Sequence, residues 1–118
     1  MTLRFGEVCI DAADIHALGQ WWSSVLGWPW EITEHNDVML RSPQGGPNWL
    51  FLAVPDDKVV KNRIHFDFTP DDQQAEVDRL IGLGARHVDV GQPDASWASW
   101  VVLADPEGNE FCVLATED

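Results

Sequence analysis

The sequence contains no tyrosine, only two cysteines, and only seven lysines and arginines among 118 residues. Each shortage excludes something. Cys9 and Cys112 lie near opposite ends with no CxxC spacing, which fits a reduced, cytoplasmic protein better than a disulfide framework, a Cys9–Cys112 bridge between terminal strands being the alternative. Seven basic residues against twenty acidic ones leave a formal charge of −13. A field of that sign repels phosphate backbones and anionic headgroups, so neither nucleic acid nor a membrane surface is an expected partner. The longest unbroken apolar run, Trp49 to Val54, is far short of the roughly 20 residues that span a bilayer. The start, Met1 to Ile10, also lacks a basic head followed by an apolar stretch.

What is present is a globular composition. Hydrophobic residues make up 45% and charged residues 23% of the chain, which argues against intrinsic disorder. A chain of 13.2 kDa is one domain's worth, large enough to bury about two-thirds of its surface without staples. Seven tryptophans and five phenylalanines supply broad apolar faces, and each indole adds one N–H donor.

The hydrophobic pattern gives an order of elements. Leu3 to Ile10 alternates as a strand, and from Asp11 the period shifts to a helical stripe of Ile15, Leu18, Trp22, Val25 and Leu26. Asp11 or Asp14 is the N-cap of that helix and Gly27 its stop. Trp28 to Glu34 and Val38 to Arg41 read as strands across a His35–Asn36–Asp37 turn, and Trp49 to Val54 as a fourth strand after a Pro/Gly loop. The second half repeats this order. Arg63 to Phe68 is a strand with Ile64, Phe66 and Phe68 on its apolar face, and Thr69-Pro70 reads as a helix start. The stripe Val77, Leu80 and Ile81 then ends at Gly84, and strands follow at Arg86 to Val90, Trp97 to Leu103 and Glu110 to Leu114. Asp105-Pro106-Glu107-Gly108-Asn109 joins the last two, with proline presetting the turn and glycine supplying a positive φ. The halves are offset by about 57 to 58 positions, which sets Glu7 opposite His65, Asp14 opposite Asp72 and Leu26-Gly27 opposite Leu83-Gly84.

A doubled βαβββ order ending in Asp105-Pro106-Glu107-Gly108-Asn109-Glu110-Phe111, with the strand Lys61-Asn62-Arg63-Ile64-His65-Phe66-Asp67-Phe68 and a helix ending Val25-Leu26-Gly27-Trp28, resembles the vicinal oxygen chelate superfamily. That group includes glyoxalase I, bleomycin-resistance proteins, fosfomycin-resistance enzymes and extradiol dioxygenases. The resemblance covers essentially the whole chain. It implies an α+β fold in which two βαβββ modules, approximately residues 1–56 and 57–118 of a single glyoxalase-like domain, form curved mixed sheets around a cavity. It also implies a homodimer.

In metal-using members, two His and two Glu on the first and last strands of the modules hold a divalent ion. The matching positions here are Glu7, His65 and Cys112, while the fourth strand offers only Phe51 or Leu52. With one corner missing, no metal cofactor is expected; were an ion held, its ligands would be Glu7, His65 and Cys112. The expected function is binding of a small organic molecule, aromatic or cationic, in a cavity edged by Glu7, His65, Asp67, Cys112, Trp49, Trp97 and Trp100. An alternative is a lyase or isomerase of the glyoxalase I type, with His65 and Glu7 as the proton-transfer pair, with or without a divalent metal. A non-catalytic dimeric interaction module is a third reading. Trp21, Trp22 and Trp28 are expected to pack the first helix, and His16, His35 and His87 to lie on the surface.

Overall fold

The computed structural model describes residues 3–89 and 99–116, in two compact units, 1–57 and 58–118. The first runs β1 (Glu7–Ala12), α1 (Ile15–Leu26), β2 (Trp30–Ile32), β3 (Val38–Leu40) and β4 (Asn48–Ala53). The second runs β5 (Phe66–Phe68), α2 (Gln73–Leu83), β6 (Arg86–His87), β7 (Val101–Ala104) and β8 (Glu110–Val113). Each unit is thus one βαβββ module and the class is α+β. Each sheet sets its first strand parallel to its last, in the orders β1-β4-β3-β2 and β5-β8-β7-β6, with the remaining pairs antiparallel. Among the described residues no helix is long and apolar enough to cross a membrane.

The two helices begin for the same reason. Asp14 and Asp72 are extended residues whose carboxylates accept the N–H of Ala17 and Ala75 at 3.0 and 3.1 Å, satisfying donors that the first turn leaves orphaned. The second start differs from the expected Thr69-Pro70 cap. Asp72 takes that role, and the N–H of Gln73 is bonded instead to Thr116 Oγ1 at 2.6 Å. Both helices stop at a left-handed glycine, Gly27 at φ 70° and Gly84 at φ 113°.

The first core lies between α1 and one face of its sheet. Ile15, Leu18 and Trp22 bury themselves on Val38, Leu40, Trp49 and Phe51, each large side chain contributing about 2 kcal/mol of burial. Gly19 lets the helix approach closely, since a Cβ there would stand 2.6 Å from Val38 Cγ1. Trp49 packs edge-on against Trp22 and Trp28, with ring centroids 5.3 and 5.8 Å apart, and Trp21 packs on Trp22. In the second module, Val77 and Leu80 of α2 are buried, as are Leu103, Phe111 and Val113. Phe68 meets Phe111 edge-on at 5.8 Å.

Two apolar expectations differ. Ile81 lies at the edge of the α2 stripe and is partly exposed, and Ile64 is 80% exposed because the ladder begins only at Phe66. Similarly, β1 begins at Glu7, opposite Asn48, instead of at Leu3. A strand exists where a partner lies beside it, and β4 starts only after the Gly45-Gly46-Pro47 loop. The expected strands at Arg86 to Val90 and Trp97 to Leu103 are shorter where described, and Val90 and Trp97 lie outside the described residues.

Candidate functional site

Alternation along each strand sorts its residues onto two faces. In β4, Trp49 and Phe51 take the helix side, and Asn48, Leu50 and Leu52 the other. In β8, Phe111 and Val113 take the helix side, leaving Glu110 and Cys112 on the helix-free face. Register then defines rows across that face. Asp67 stands opposite Cys112, and Cys112 opposite Val102. The same row in the first module is Cys9, Leu50 and Met39. One module therefore presents an acid and a thiol where the other presents an apolar strip edged by a thiol.

The second module gathers three chemically active groups. His65, two residues before Asp67 on the approach to β5, sets Nε2 3.3 Å from Asp67 Oδ1, and both side chains are about half exposed. The side-chain donor atoms of His65, Asp67 and Cys112 all lie within 4.8 Å of one another. Burial pushes the Cys112 thiol up to a pKa of about 11; the Asp67 charge and the hydrogen bond from the thiol to the Asp67 carboxylate add to that, while Lys61 opposes it. Asp67 is therefore the hub, accepting from the thiol and facing the imidazole. This order is unsuited to a nucleophilic cysteine, which needs the imidazole beside the sulfur and a depressed pKa.

Beside the cluster, on the same face of β8, Glu110 is only 8% exposed and is held by three groups. Lys58 Nζ is 2.8 Å from its Oε2, the Asn62 N–H donates to the same oxygen at 3.3 Å, and Asn62 Nδ2 donates to the Glu110 carbonyl at 3.1 Å. Burial pushes the Glu110 pKa up, but the Lys58 hydrogen bond, the backbone N–H groups and the Lys58 charge outweigh it and hold the carboxyl below its ordinary 4.5. This clamp ties the segment leading to His65 onto β8. The hairpin that carries Glu110 and Cys112 is fixed by Asp105, which is 1% exposed. Asp105 Oδ1 accepts the N–H groups of Glu107 and Asn109, each at 2.9 Å, and Gly108 turns the chain at φ 92°. Neither the clamp nor this hub is predicted from the sequence, although the acidic residue of a D-P-E-G-N turn is the signal that points to the hub.

The predicted site residues fall in different places. His65, Asp67 and Cys112 come together. Glu7 is exposed on the helix-free face of β1, in the first module, beside Cys9 and Asp11. Burial and the Glu7, Asp11 and Asp37 charges raise the Cys9 pKa. Trp49 lies in the core against Trp22 and Trp28, 6% exposed, on the helix side of its sheet. Trp100 is half-buried just before β7, with the parity of Val102; Trp97 is outside the described residues. His16, His35 and His87 are exposed.

The four-donor metal set that the resemblance implies does not fit. Of the two expected fourth-strand residues, Phe51 is on the helix side and fully buried. The helix-free face of β4 carries Asn48, Leu50 and Leu52, with no carboxylate, imidazole or thiol. The β4 position matching Cys112 is a leucine whether the modules are aligned by helix cap, which selects Leu50, or by ladder end, which selects Leu52.

Residues 7–114 match the family model described as a glyoxalase-like domain. No functionally curated protein matches the sequence. Among solved structures, a glyoxalase/bleomycin resistance protein/dioxygenase family enzyme from Burkholderia phytofirmans PsJN is similar at TM-score 0.68 and 22% identity, over 92% of this chain and 94% of that one. The fosfomycin resistance protein FosX from Mesorhizobium loti is similar at 0.70 and 11%, over 100% and 94%, and glyoxalase I from Leishmania major at 0.66 and 12%, over 98% and 88%. The doubled βαβββ topology, the D-P-E-G-N hairpin and the match over nearly the full length agree: the chain belongs to the glyoxalase-like domain family of the vicinal oxygen chelate superfamily.

Proposed function

We propose that the chain binds a small organic molecule on the helix-free face of its second module, over the row Asp67, Cys112 and Val102 with His65 at the rim. The observation that carries this reading is the His65–Asp67–Cys112 cluster: donors and acceptors within 4.8 Å of one another, flanked in the same row by an apolar side chain. Convergent polar groups beside an apolar side chain are what orients a small ligand. Fold relatives named for glyoxalase I and for fosfomycin resistance support the reading by analogy alone. The formal charge of −13 and the half-exposed carboxylate of Asp67 favour a ligand that is cationic or rich in hydrogen-bond donors. Trp100 is the nearest reporter in sequence to that row. Its fluorescence, titrated with a panel of aromatic and cationic compounds, should respond saturably in the wild-type chain and lose affinity in Asp67→Asn. A panel that leaves the emission of the wild-type protein unchanged counts against the proposal.

The His65–Asp67 contact favours a second reading, an isomerase or lyase. A carboxylate 3.3 Å from an imidazole nitrogen orients the ring, the arrangement a general base uses. Turnover of the methylglyoxal–glutathione hemithioacetal that disappears in His65→Gln tests it.

A further inference from the structure

Glu110 is buried beside the binding row yet takes no part in it. We infer that it is a positioning residue for that row: Glu110 clamps the strap formed by residues 58–65 onto β8, and this clamp is what sets the His65 imidazole on Asp67. Its effect on ligand binding rests on the reading above, whereas its hold on His65 is a property of the chain alone.

The strap has little else to hold it. β5 begins only at Phe66, and among the described residues no turn, cap or loop hydrogen bond between backbone groups involves residues 58–65. The polar contacts of the strap go to two residues, Glu110 and Asp67. These two anchors differ in strength. His65 and Asp67 are both about half exposed, and a pair so hydrated contributes little against the entropy of a free backbone. Glu110 is only 8% exposed, and its cation is the strap's own Lys58, 2.8 Å away and half-buried. Lifting the strap would strand a buried carboxylate without its partner, which is strongly unfavourable. Register adds the aim. Phe66 pairs with Phe111 and Asp67 with Cys112, so His65 falls level with Glu110, one step before the ladder starts. The Asn62 N–H and side-chain amide, bonded to the Glu110 carboxylate and carbonyl at 3.3 and 3.1 Å, therefore fix the chain just ahead of the imidazole. The same strap carries Lys61, whose charge acts on the Cys112 thiol.

Ligand-free proton NMR of the full chain tests this, so that its failure and a failure of ligand binding are read separately. The chain has four histidines, and His65→Gln assigns the Hε1 resonance of His65. Asp67→Asn should shift that resonance in the otherwise wild-type chain. In Glu110→Ala the same Asp67→Asn change should shift it by less than about half as much, the non-additivity of residues that act as one unit. Glu110→Gln, which keeps an oxygen for the Asn62 N–H but not the charge for Lys58, should fall between the two. The Asn62 amide should exchange more slowly than the other amides of the strap and lose that protection in Glu110→Ala. The His16 resonance, from α1, should stay in place throughout. Circular dichroism establishes that each variant is folded. Where Glu110→Ala is not, Asn62→Ala decides instead: it removes only the bond to the Glu110 carbonyl and should reduce the His65 response in the same direction. Two results overturn the inference: a His65 response to Asp67→Asn that is undiminished in the folded clamp variant, or no response in the wild-type background, which would mean that the imidazole does not rest on Asp67.

Discussion

Asp67 and Cys112 face each other across the parallel pairing of β5 and β8, and the carboxylate accepts a hydrogen bond from the thiol. In the corresponding pairing of β1 and β4, Cys9 faces Leu50. The two modules share a ladder but not its chemistry. In the first module the thiol faces a leucine, whereas the second brings imidazole, carboxylate and thiol together.

That pairing predicts how Cys112 reacts. Its pKa of about 11 is set first by burial, then by the Asp67 charge and hydrogen bond. Removing the charge in Asp67→Asn should lower the pKa, while burial keeps it above the ordinary value of 9.0. Since only the thiolate attacks iodoacetamide, the rate of Cys112 alkylation against pH should turn up at lower pH in the variant than in the wild type. Peptide mass spectrometry separates this signal from that of the exposed Cys9. Coincident profiles would show that the carboxylate does not act on the thiol.

The Glu110 clamp makes a prediction of opposite sign. The folded-state pKa is depressed, so the unfolded chain takes up the proton first as pH falls. The clamp's stabilisation is therefore fully present above the ordinary value of 4.5 and is lost as pH drops through the folded-state value. Glu110→Gln should be less stable at neutral pH and show a flatter stability profile in the acid range, by urea unfolding between about pH 7 and about pH 3. Lys58→Met, which leaves a buried carboxylate without its cation, should cost about 2 kcal/mol at neutral pH. An unchanged acid slope in Glu110→Gln would assign the linkage to another group.

Much of the fold is legible in the sequence because it rests on local chemistry. The α1 stripe, the glycine stops at Gly27 and Gly84 and the D-P-E-G-N turn each work through contacts a few residues apart. The departures come where a distant partner decides. Arg63 to Phe68 alternates well, yet the ladder begins at Phe66, opposite Phe111, and leaves Ile64 exposed. Thr69-Pro70 has the chemistry of a helix start, but it is the carboxylate of Asp72 that reaches the Ala75 N–H. The sequence points to His65, Asp67 and Cys112 one by one, but the Asp67–Cys112 pairing is a matter of parallel register, to which no turn residue gives a clue. Trp49 belongs to the same class: aromatic composition does not tell a ligand-facing indole from one packed on a helix.

The close approach of α1 to β3 gives a packing prediction. A methyl group at Gly19 meets Val38 Cγ1 at 2.6 Å, and Val38 is fully buried. Overpacking costs about 1–3 kcal/mol, and the helix preference of alanine over glycine returns about 1 kcal/mol. Gly19→Ala should therefore be destabilised by about 1 kcal/mol in urea, whereas Gly82→Ala in α2, where a Cβ meets nothing within 4 Å, should be stabilised by a similar amount. Equal shifts in the two variants would mean that the α1–β3 contact yields without cost.

Asp105 links stability to the site. Its buried carboxylate accepts the N–H groups of Glu107 and Asn109 and the Asn109 side chain. Asp105→Ala leaves those donors without an acceptor beneath the protein surface, at a cost of about 3 kcal/mol. The turn it braces joins β7 to β8, so loosening it loosens the register that sets Cys112 opposite Asp67. Asp105→Asn retains an acceptor oxygen but places an amide group against the Asn109 amide, so it should lose less stability than alanine and perturb the same strand. The alkylation profile of Cys112 should then move in the direction expected for Asp67→Asn in both variants, and further in alanine. If stability falls while that profile stays at its wild-type position, the hairpin supports the fold without positioning the thiol.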